Sequence, residues 1–368
     1  MKIVYLMDED INHSSGVIKK VNSQIDEWVN HKAQVFVLSI ATTNSTGLEN
    51  HITENASFSK TFICTKLRLR GALFNMWNKV SSIYAILQTL REIKPDVIYL
   101  REMICFPGLT KITKTYPTVM EANTVFVDEA RLGNPIRAYL VRMCQPILYR
   151  SLKGVVGVTN EISNHFSRFN IPLKTIANGI SLAKNADIYK STTNDRPQVV
   201  FVGTPGMPWH GADLYHKMAQ LIPDVDFHLV GPIVETEKKC SNFFQHGYLQ
   251  TLELNNMYST MDIAVGSLAL FRNNMEEACV LKVREYLKAG LPIIIGYNDV
   301  DINHFPFVLR LENSESAVEE RINDIRKFIF DMQFYKVPRE IISDAISVEI
   351  KEKNRINFIR NVILTKAT

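Results

Sequence analysis

The sequence predicts an α/β protein of two domains, each a doubly wound sheet of mostly parallel strands, with a helix at the C-terminus. Three observations support this prediction. The chain has 368 residues, which is enough for two separate hydrophobic cores. Short apolar runs alternate with amphipathic helical patterns, as expected for parallel sheets with crossover helices. A polar tract at residues 181–197 shows no strand pattern and is interpreted as a linker.

The first domain is predicted over residues 1–180, where β-branched and aromatic runs alternate with helical periodicity. Its predicted strands are residues 3–7, 34–39, 61–64, 97–100, 118–121, 154–158 and 174–177. Its predicted helices are residues 17–31, 73–93, 137–152 and 161–169.

The second domain is predicted over residues 198–345 by the same alternation, and residues 346–368 are predicted to hold a terminal helix at 348–364. Its predicted strands are residues 199–202, 226–230, 243–246, 263–265 and 293–295. Its predicted helices are residues 213–221, 252–258 and 280–289. Two such domains imply a cleft at the carboxyl ends of both sheets, where ligands bind in these folds.

Composition indicates a soluble globular protein, since 46% of residues are hydrophobic and 22% are charged. The chain starts directly with a strand pattern, without the features of a signal peptide, and no apolar run approaches the roughly 20 residues of a membrane span. Its five cysteines are scattered without metal-type spacing. We therefore expect a cytoplasmic protein with reduced thiols.

The net charge of +4 is unevenly distributed, because residues 60–79 and 137–153 are basic and contain no acid. Both segments also carry aromatic and aliphatic side chains at helical spacing. Two interpretations stay open: helices that dock on an anionic membrane surface, or ordinary helices packed on the first domain's sheet. Nucleic-acid binding is disfavoured, since no recognisable motif for it is present.

A charge-dense segment runs from Glu277 to Glu285, with Lys282 and Arg284 between them. It feeds a predicted helix, a Gly-Leu-Pro break and the strand at 293–295. A helix N-terminus and nearby cations bind phosphate, while carboxylates accept hydrogen bonds from hydroxyl groups. The pattern therefore favours a site for a phosphorylated sugar. The alternative is a surface helix with ordinary charge pairs.

This segment resembles the E-x7-E signature of the GT4-like family of retaining GT-B glycosyltransferases, of the bacterial surface-polysaccharide type. Smaller matches in the same order extend the resemblance over residues 198–298. The resemblance implies two Rossmann-like domains that face a central cleft, with the C-terminal helix returning to the N-terminal domain. The first domain would then hold the acceptor and the second the donor nucleotide.

The resemblance also implies roles for particular residues of the second domain. Glu285 would accept hydrogen bonds from the ribose and Glu277 from the transferred sugar. The leaving diphosphate would be held by Arg272, Lys282 and the N–H groups near Val280 and Leu281.

Three loops of the second domain complete the resemblance on the donor side. The loop at Gly203 would contact the diphosphate, but Thr204 stands where the family has Arg and His210 where it has Lys. Gly231 ends the strand near the nucleotide base, and Tyr248 lies at the position that reads the base through backbone contacts.

In the first domain, the resemblance places Gly16 in a loop that faces the donor phosphate and the acceptor. Ser14 and Ser15 precede it; the alternative for them is a plain helix N-cap. Glu121 ends a predicted strand on the acceptor side and would orient the acceptor or stabilise the oxocarbenium-like state. Glu129 follows in a similar context.

We expect no required metal and no cofactor. Asp8-Glu-Asp10 and Asp299-Val-Asp301 both spell D-x-D, the metal-holding motif of the other glycosyltransferase fold, but the chain has the organisation of GT-B enzymes. The histidines show no metal-ligand spacing. No G-x-G-x-x-G or G-x-S-x-G is present, which disfavours dinucleotide oxidoreductases and serine hydrolases.

The sequence thus predicts a retaining glycosyltransferase that uses a nucleoside-diphosphate sugar. Its expected acceptor is a glycan or a polyprenyl-linked glycan of a bacterial capsule or O-antigen, which implies a peripheral position on the inner face of the plasma membrane. Two alternatives stay open: a sugar-nucleotide 2-epimerase of the same fold, and a degenerate, non-catalytic GT-B subunit that supports an active partner.

Overall fold

A computed structural model describes residues 1–12, 15–41, 50–63, 71–125, 135–182, 194–235 and 240–364. The chain forms two compact units. Unit 1 comprises Met1–Ile176 together with Val348–Thr368, and unit 2 comprises Ala177–Ser347. The C-terminal segment therefore belongs to the first unit, although it follows the second in sequence.

The described residues of unit 1 contain a seven-stranded sheet, in the order β3-β2-β1-β4-β5-β6-β7. All neighbouring strands pair in parallel. The strands are β1 Lys2–Met7, β2 Gln34–Ile40, β3 Phe58–Phe62, β4 Val97–Arg101, β5 Thr118–Ala122, β6 Gly154–Gly157 and β7 Leu173–Thr175. The chain moves outward from β1 to β3 and then returns across the sheet, which is the topology of a doubly wound fold.

Helices cover both faces of this sheet. They are α1 Gly16–Asn30, α2 Gly71–Ile93, α3 Leu109–Thr115, α4 Pro135–Tyr149, α5 Asn160–His165 and α12 Val348–Leu364. Residues of α1 and α12 share one apolar core with Tyr5, Val35 and Tyr99 of the strands. Right-handed crossovers put α2, α3 and α4 on the opposite face, because the chain reverses its direction across the sheet after β3.

The described residues of unit 2 contain a six-stranded parallel sheet, in the order β10-β9-β8-β11-β12-β13. The strands are β8 Gln198–Val202, β9 Asp226–Val230, β10 Phe243–Gln245, β11 Ile263–Val265, β12 Ile293–Ile295 and β13 Val308–Arg310. The helices are α6 Ala212–Leu221, α7 Thr251–Thr260, α8 Leu281–Lys288, α9 Ala317–Glu320, α10 Ile322–Asp331 and α11 Arg339–Ile346. Residues Phe201, Phe227 and Leu229 lie in its apolar core, together with side chains of α6 and α10.

The predicted fold class of two parallel-sheet α/β units is confirmed, with local differences in six elements. The third strand lies at Phe58–Phe62 rather than 61–64, because Phe58 pairs with Phe36 and three consecutive polar residues occupy the middle of this edge strand. The strand β13 and the helices α3 and α9 to α11 were not predicted. The elements β13, α3 and α9 are only three to seven residues long and give weak periodicity, whereas α10 and α11 are amphipathic and were overlooked.

Each sheet has one switch point, where the strand order reverses: between β1 and β4 in unit 1, and between β8 and β11 in unit 2. Ligands of doubly wound folds bind outside the carboxyl ends of the strands at such points. No helix of the described residues is long and apolar enough to cross a bilayer.

Candidate functional site

The beginning of α8 holds the end of β8 at the switch point of unit 2. The ladder between β8 and β11 stops at Phe201 and Val265. Beyond it, the Val202 carbonyl accepts a hydrogen bond from Lys282 Nζ at 2.9 Å, and the Val202 N–H donates to the Tyr286 hydroxyl at 2.9 Å. Two side chains of α8 therefore replace the missing strand partner and place this helix at the carboxyl end of the sheet.

Lys282 is a half-buried cation that lacks an acidic partner among the described residues. Its Nζ lies 4.3 Å from the centre of the Phe201 ring, and no described carboxylate lies within 4 Å of it. Burial lowers the pKa of Lys282 to about 7. Neutral groups thus surround the ammonium, so an anionic ligand here would both restore its charge and provide its counter-ion.

His210 and Thr204 form a second part of this site. The Thr204 N–H donates to His210 Nδ1 at 3.0 Å, which leaves the ring proton on Nε2. Burial, and to a lesser extent the charge of Lys282, lowers the pKa of His210 to about 3. His210 is therefore a neutral N–H donor at ordinary pH, and Lys282 is the cation of this region.

The loops after β8 and β9 pack backbone against backbone. Gly203 donates its N–H to the Val230 carbonyl at 2.9 Å, and Gly231 donates to the Gly247 carbonyl at 2.7 Å. A Cβ on Gly231 would lie 2.2 Å from the Gly203 oxygen, and the φ of Gly231 is +97°. Both positions therefore require glycine, because the neighbouring atoms approach too closely for a Cβ. The two glycines bring three loops together at this edge of the sheet.

Replacing Gly231 by alanine should destabilise the protein by on the order of 3 kcal/mol, the sum of left-handed backbone strain and a steric clash. Gly206→Ala is the matched control, because Gly206 has a φ of +76° but open space around its Cα. Its cost should be about 1 kcal/mol. Chemical denaturation measures both; equal destabilisation by the two variants would contradict the packing argument.

The two carboxylates of the E-x7-E segment are held differently. The backbone around Glu277 runs beside the segment after β12, where the Ala278 N–H donates to the Asn298 carbonyl at 3.0 Å. Glu285 lies half-buried on α8. Burial, then Tyr286 and Glu285, raise the pKa of Tyr258, whose buried hydroxyl has no hydrogen-bond partner among the described residues. Glu285 is therefore the accessible carboxylate of this part of α8, whereas the Tyr258 hydroxyl is enclosed behind it.

Arg272 is already balanced by two acids. It forms a bidentate pair with Asp213, with both N–O distances at 2.8 Å, and it also binds Glu315 at 2.7 and 3.0 Å. A diphosphate would have to displace one of these carboxylates to bind the guanidinium. The role expected for Arg272 stays a prediction, and Lys282 has the environment that fits an anion better.

The second D-x-D segment binds a cation of the protein itself. Arg284 is fully buried and forms a bidentate pair with Asp299, at 2.7 and 2.8 Å, and a third bond to Asp301 at 3.0 Å. Its Nη2 also lies 2.9 Å from Cys279 Sγ. The ligand atoms of Cys279, Asp299 and Asp301 lie within 4.8 Å of one another, so the guanidinium occupies the position that a metal ion would take. Arg284 was noted from the sequence, but its interaction with Cys279, Asp299 and Asp301 was not predicted.

In unit 1, Glu121 is the centre of a buried polar network rather than an exposed strand-end carboxylate. It accepts hydrogen bonds from Tyr99 Oη at 2.7 Å, Gln24 Nε2 at 2.9 Å and Lys20 Nζ, and Arg355 Nη1 lies 3.2 Å away. Burial alone would raise its pKa, but the charges of Lys20, Arg355 and Arg101 hold the pKa of Glu121 well below its usual range. Its role at an acceptor stays a prediction; in this structure it positions other residues.

Next to this network, a cavity of about 200 Å³ opens at the carboxyl ends of β1, β4 and β5. It is lined by Asp8, Glu9, Arg101, Glu102, Met103, Asn123 and Thr124. The first D-x-D segment contributes to it, with Asp8 paired to Lys79 and Glu9 to Arg101. The cavity lies at the switch point of unit 1, so this sheet also has a candidate ligand site.

The remaining predicted positions lie as follows. Ser15 is the N-cap of α1, and its Oγ accepts a hydrogen bond from the Ile18 N–H at 3.2 Å, which confirms the capping alternative for this serine. Gly16 is the exposed first residue of the same helix. Tyr248 projects with 87% of its surface exposed, directly after Gly247. Ser14 and Glu129 lie outside the described residues.

Comparison with solved structures identifies the architecture. A sucrose-phosphate synthase from Thermosynechococcus elongatus matches with a TM-score of 0.72 over 100% of both chains, at 12% sequence identity. Anabaena Alr3699/HepE in complex with UDP matches with a TM-score of 0.63, over 98% of this chain and 100% of that one, at 15% identity. The chain has the GT-B fold. The two units described above are therefore the two Rossmann-like domains of this fold.

The structures that match are not all transferases. A UDP-GlcNAc 2-epimerase from Methanocaldococcus jannaschii has a TM-score of 0.54 over 97% of this chain and 99% of that one, at 11% identity. No family model and no curated protein matches the sequence. At these identities the likeness establishes the fold, and activity has to be argued from the site.

Proposed function

We propose that this chain is a retaining glycosyltransferase, which moves a sugar from a nucleoside-diphosphate sugar to a glycan or polyprenyl-linked glycan. The observation that carries the proposal is Lys282, a half-buried cation at the N-terminus of α8 for which the described residues provide no acidic partner, beside the switch point of the donor-side sheet. Unpaired helix N–H groups and a nearby cation are the elements that bind phosphate.

The leaving diphosphate develops negative charge as the bond to the sugar breaks, and stabilising that charge is the main task of the site. Lys282 provides a positive charge in a partly dry environment, where electrostatic interactions are stronger than in water. The Nε2–H group of His210 and the N–H groups of Val280 and Leu281 add neutral donors. This set performs the role that the family's Arg and Lys perform in the loop after β8.

Glu285 accepts hydrogen bonds from the ribose and Glu277 from the transferred sugar in this proposal. The loops at Gly231 and Tyr248 hold the base. The matching structure of HepE contains UDP, so UDP-sugars are the first donors to test. With Lys282 as the cation beside the diphosphate, we expect the reaction to require no metal.

Retention follows if the acceptor hydroxyl attacks the anomeric carbon on the face from which the diphosphate departs. The new bond joins the acceptor oxygen to that carbon, the bond from the carbon to the diphosphate oxygen breaks, and a phosphate oxygen takes the acceptor's proton. No protein nucleophile takes part. A surface polysaccharide such as capsule or O-antigen is the proposed setting, supported by the resemblance of the E-x7-E segment alone.

The second candidate is a sugar-nucleotide 2-epimerase, favoured by the M. jannaschii epimerase that shares the fold. An epimerase uses the same donor site but releases a modified sugar without an acceptor. A non-catalytic support role is the third, favoured by the pairing of Arg272 with Asp213 and Glu315. A sugar with inverted configuration at C2, formed without any acceptor, would favour the epimerase, whereas release of the unmodified sugar would indicate only hydrolysis of the donor.

One nucleoside diphosphate, with UDP as the first candidate, should raise the melting temperature of the purified protein, with and without EDTA. We expect no such shift in Glu285→Ala or Lys282→Met, because each removes a proposed contact to the nucleotide. Thermal-shift assays with UDP, GDP, ADP and dTDP measure this directly.

Two exposed residues of unit 2 provide matched controls for these variants. Lys217 on α6 pairs with Glu319, and Glu276 directly precedes Glu277. Lys217→Met and Glu276→Ala should keep the full shift. A shift that survives in Lys282→Met and Glu285→Ala would place the nucleotide elsewhere, and the absence of any shift would favour the support role.

A further inference from the structure

Helix α4 of unit 1 presents an apolar stripe to solvent. Tyr139, Met143 and Ile147 are spaced four residues apart, and they are 65%, 58% and 52% exposed. Four-residue spacing places them on one side of the helix. Large apolar side chains in a continuous exposed row are unusual on a soluble protein and indicate a binding surface.

Helix α2 carries a similar stripe. Trp77, Val80 and Tyr84 lie on one side, with Met76 beside them, and all four are exposed, Tyr84 by 75%. Further along the same side the helix becomes polar, with Gln88 and Arg91 exposed. The apolar part therefore occupies the first half of the helix, which follows the carboxyl end of β3.

The opposite sides of both helices are fully used in packing. Val141 and Leu148 of α4 are buried, and Gln145 binds the Met103 carbonyl and the Cys105 N–H at 2.9 Å each. In α2, Ile83 closely approaches Gly108. Both helices thus pack on the connection at residues 103–108, on the same face of the sheet. The two interpretations made from the sequence apply to different sides of these helices, since the inner sides pack and the outer sides are left uncovered by the part of the chain that the structure describes.

The charge of this face complements an anionic surface. The sequences of α2, α3 and α4 contain six Lys and Arg residues and a single acid, Glu92. Lys79 is already paired with Asp8, but Lys111, Lys114 and Arg142 are exposed. A second copy of the chain would bring a face of the same charge against this one, which disfavours self-association through it.

We propose that the outer face of α2 and α4 docks on an anionic lipid bilayer, with its aromatic and aliphatic side chains in the headgroup region and its cations on the lipid phosphates. Tyrosine and tryptophan suit this region, since each combines an apolar ring with a polar group. Nearby Lys and Arg residues strengthen binding to anionic lipids. The proposal concerns unit 1 alone and does not depend on the nucleotide site.

Vesicle co-sedimentation of the full chain tests the proposal, with vesicles of phosphatidylcholine alone or mixed with phosphatidylglycerol. We expect binding to the anionic vesicles that weakens as salt is added, and at least tenfold weaker binding to phosphatidylcholine alone. The triple variant Y139S/M143S/I147S should weaken binding to anionic vesicles at least tenfold. Its far-ultraviolet circular dichroism and its nucleotide-induced thermal shift should match the wild type.

The matched control is L221S/I341S, which removes two comparably exposed apolar side chains from unit 2. It should bind vesicles as the wild type does. The proposal is overturned if the wild type binds neither vesicle, if the triple variant binds as well as the wild type, or if the control weakens binding equally. A dimer that the triple variant dissociates, without vesicle binding, would identify a second copy as the occupant. Failure of nucleotide binding in the wild type would leave vesicle binding unaffected and would count only against the proposed function.

Discussion

Lys282→Met should lower kcat/KM for glycosyl transfer by on the order of 10²–10³, as expected for the loss of one charge-stabilising contact in a preorganised site. The structure favours Lys282 because, among the described residues, its ammonium is held only by the Val202 carbonyl and the Phe201 ring. Steady-state kinetics with the nucleotide sugar identified by thermal shift measures the change. Arg272→Met should have a smaller effect, since Asp213 and Glu315 already balance that guanidinium. A larger loss of kcat/KM in Arg272→Met than in Lys282→Met would show that Arg272, and not Lys282, is the more important cation.

The same residue predicts a pH dependence of donor binding. The pKa of Lys282 is lowered to about 7 in the free protein, and a bound diphosphate would raise it. Affinity should therefore be constant below about pH 7 and fall by up to tenfold per pH unit above it, until the pKa of the complex is reached. Lys282→Arg should abolish this dependence, because a guanidinium stays charged throughout this range. Calorimetric titration from about pH 6 to about pH 9 tests both expectations.

Glu121→Ala should destabilise unit 1 by about 3–5 kcal/mol, because it leaves Lys20 and Arg355 buried without their shared carboxylate. The depressed pKa of Glu121 implies that its contribution is present above the unfolded value, near pH 4, and is lost as the pH falls through the folded value. Lowering the pH should therefore reduce the free energy of unfolding of the wild type more than that of Glu121→Ala.

Denaturation followed by Trp28 fluorescence measures this effect, in a background where Trp77 and Trp209 are phenylalanine, since Trp28 belongs to the same network. Asp224→Ala is the control, because it removes an exposed partner of Arg326 and should cost less than about 1 kcal/mol. If Glu121→Ala proves as mild as Asp224→Ala, the network does not stabilise unit 1 as argued.

Much of the fold was predictable because its strands are locally encoded. The runs at β11 and β12 are apolar on both faces and bounded by turn residues, and the limits predicted for them and for β9 coincide with those observed. The edge strand β3 was misplaced, since its three consecutive polar residues, Ser, Lys and Thr, resemble a loop and its position depends on pairing with β2.

The candidate site was only partly predictable. The helix that begins at Leu281 follows from local sequence, and the glycines at 203 and 231 were singled out by their places after strands. The sequence could not predict which of the two cations is better placed for an anion, because their environments depend on residues far away in sequence. Lys282 contacts Val202 and Phe201, whereas Arg272 pairs with Asp213 and Glu315. The pairing of Arg284 with both aspartates of a D-x-D segment likewise could not be predicted from the sequence.

The sequence by itself determined the two parallel α/β sheets and the strand-end loops, because periodicity and turn residues act over a few neighbours. Only the tertiary structure decided which buried charges meet. Trp28 donates to Glu352 at 2.9 Å across 324 residues, and Arg355 of the same terminal helix reaches Glu121 and Tyr99. A charge is tolerated inside a protein only beside its partners, and those partners are assembled by topology rather than by local sequence.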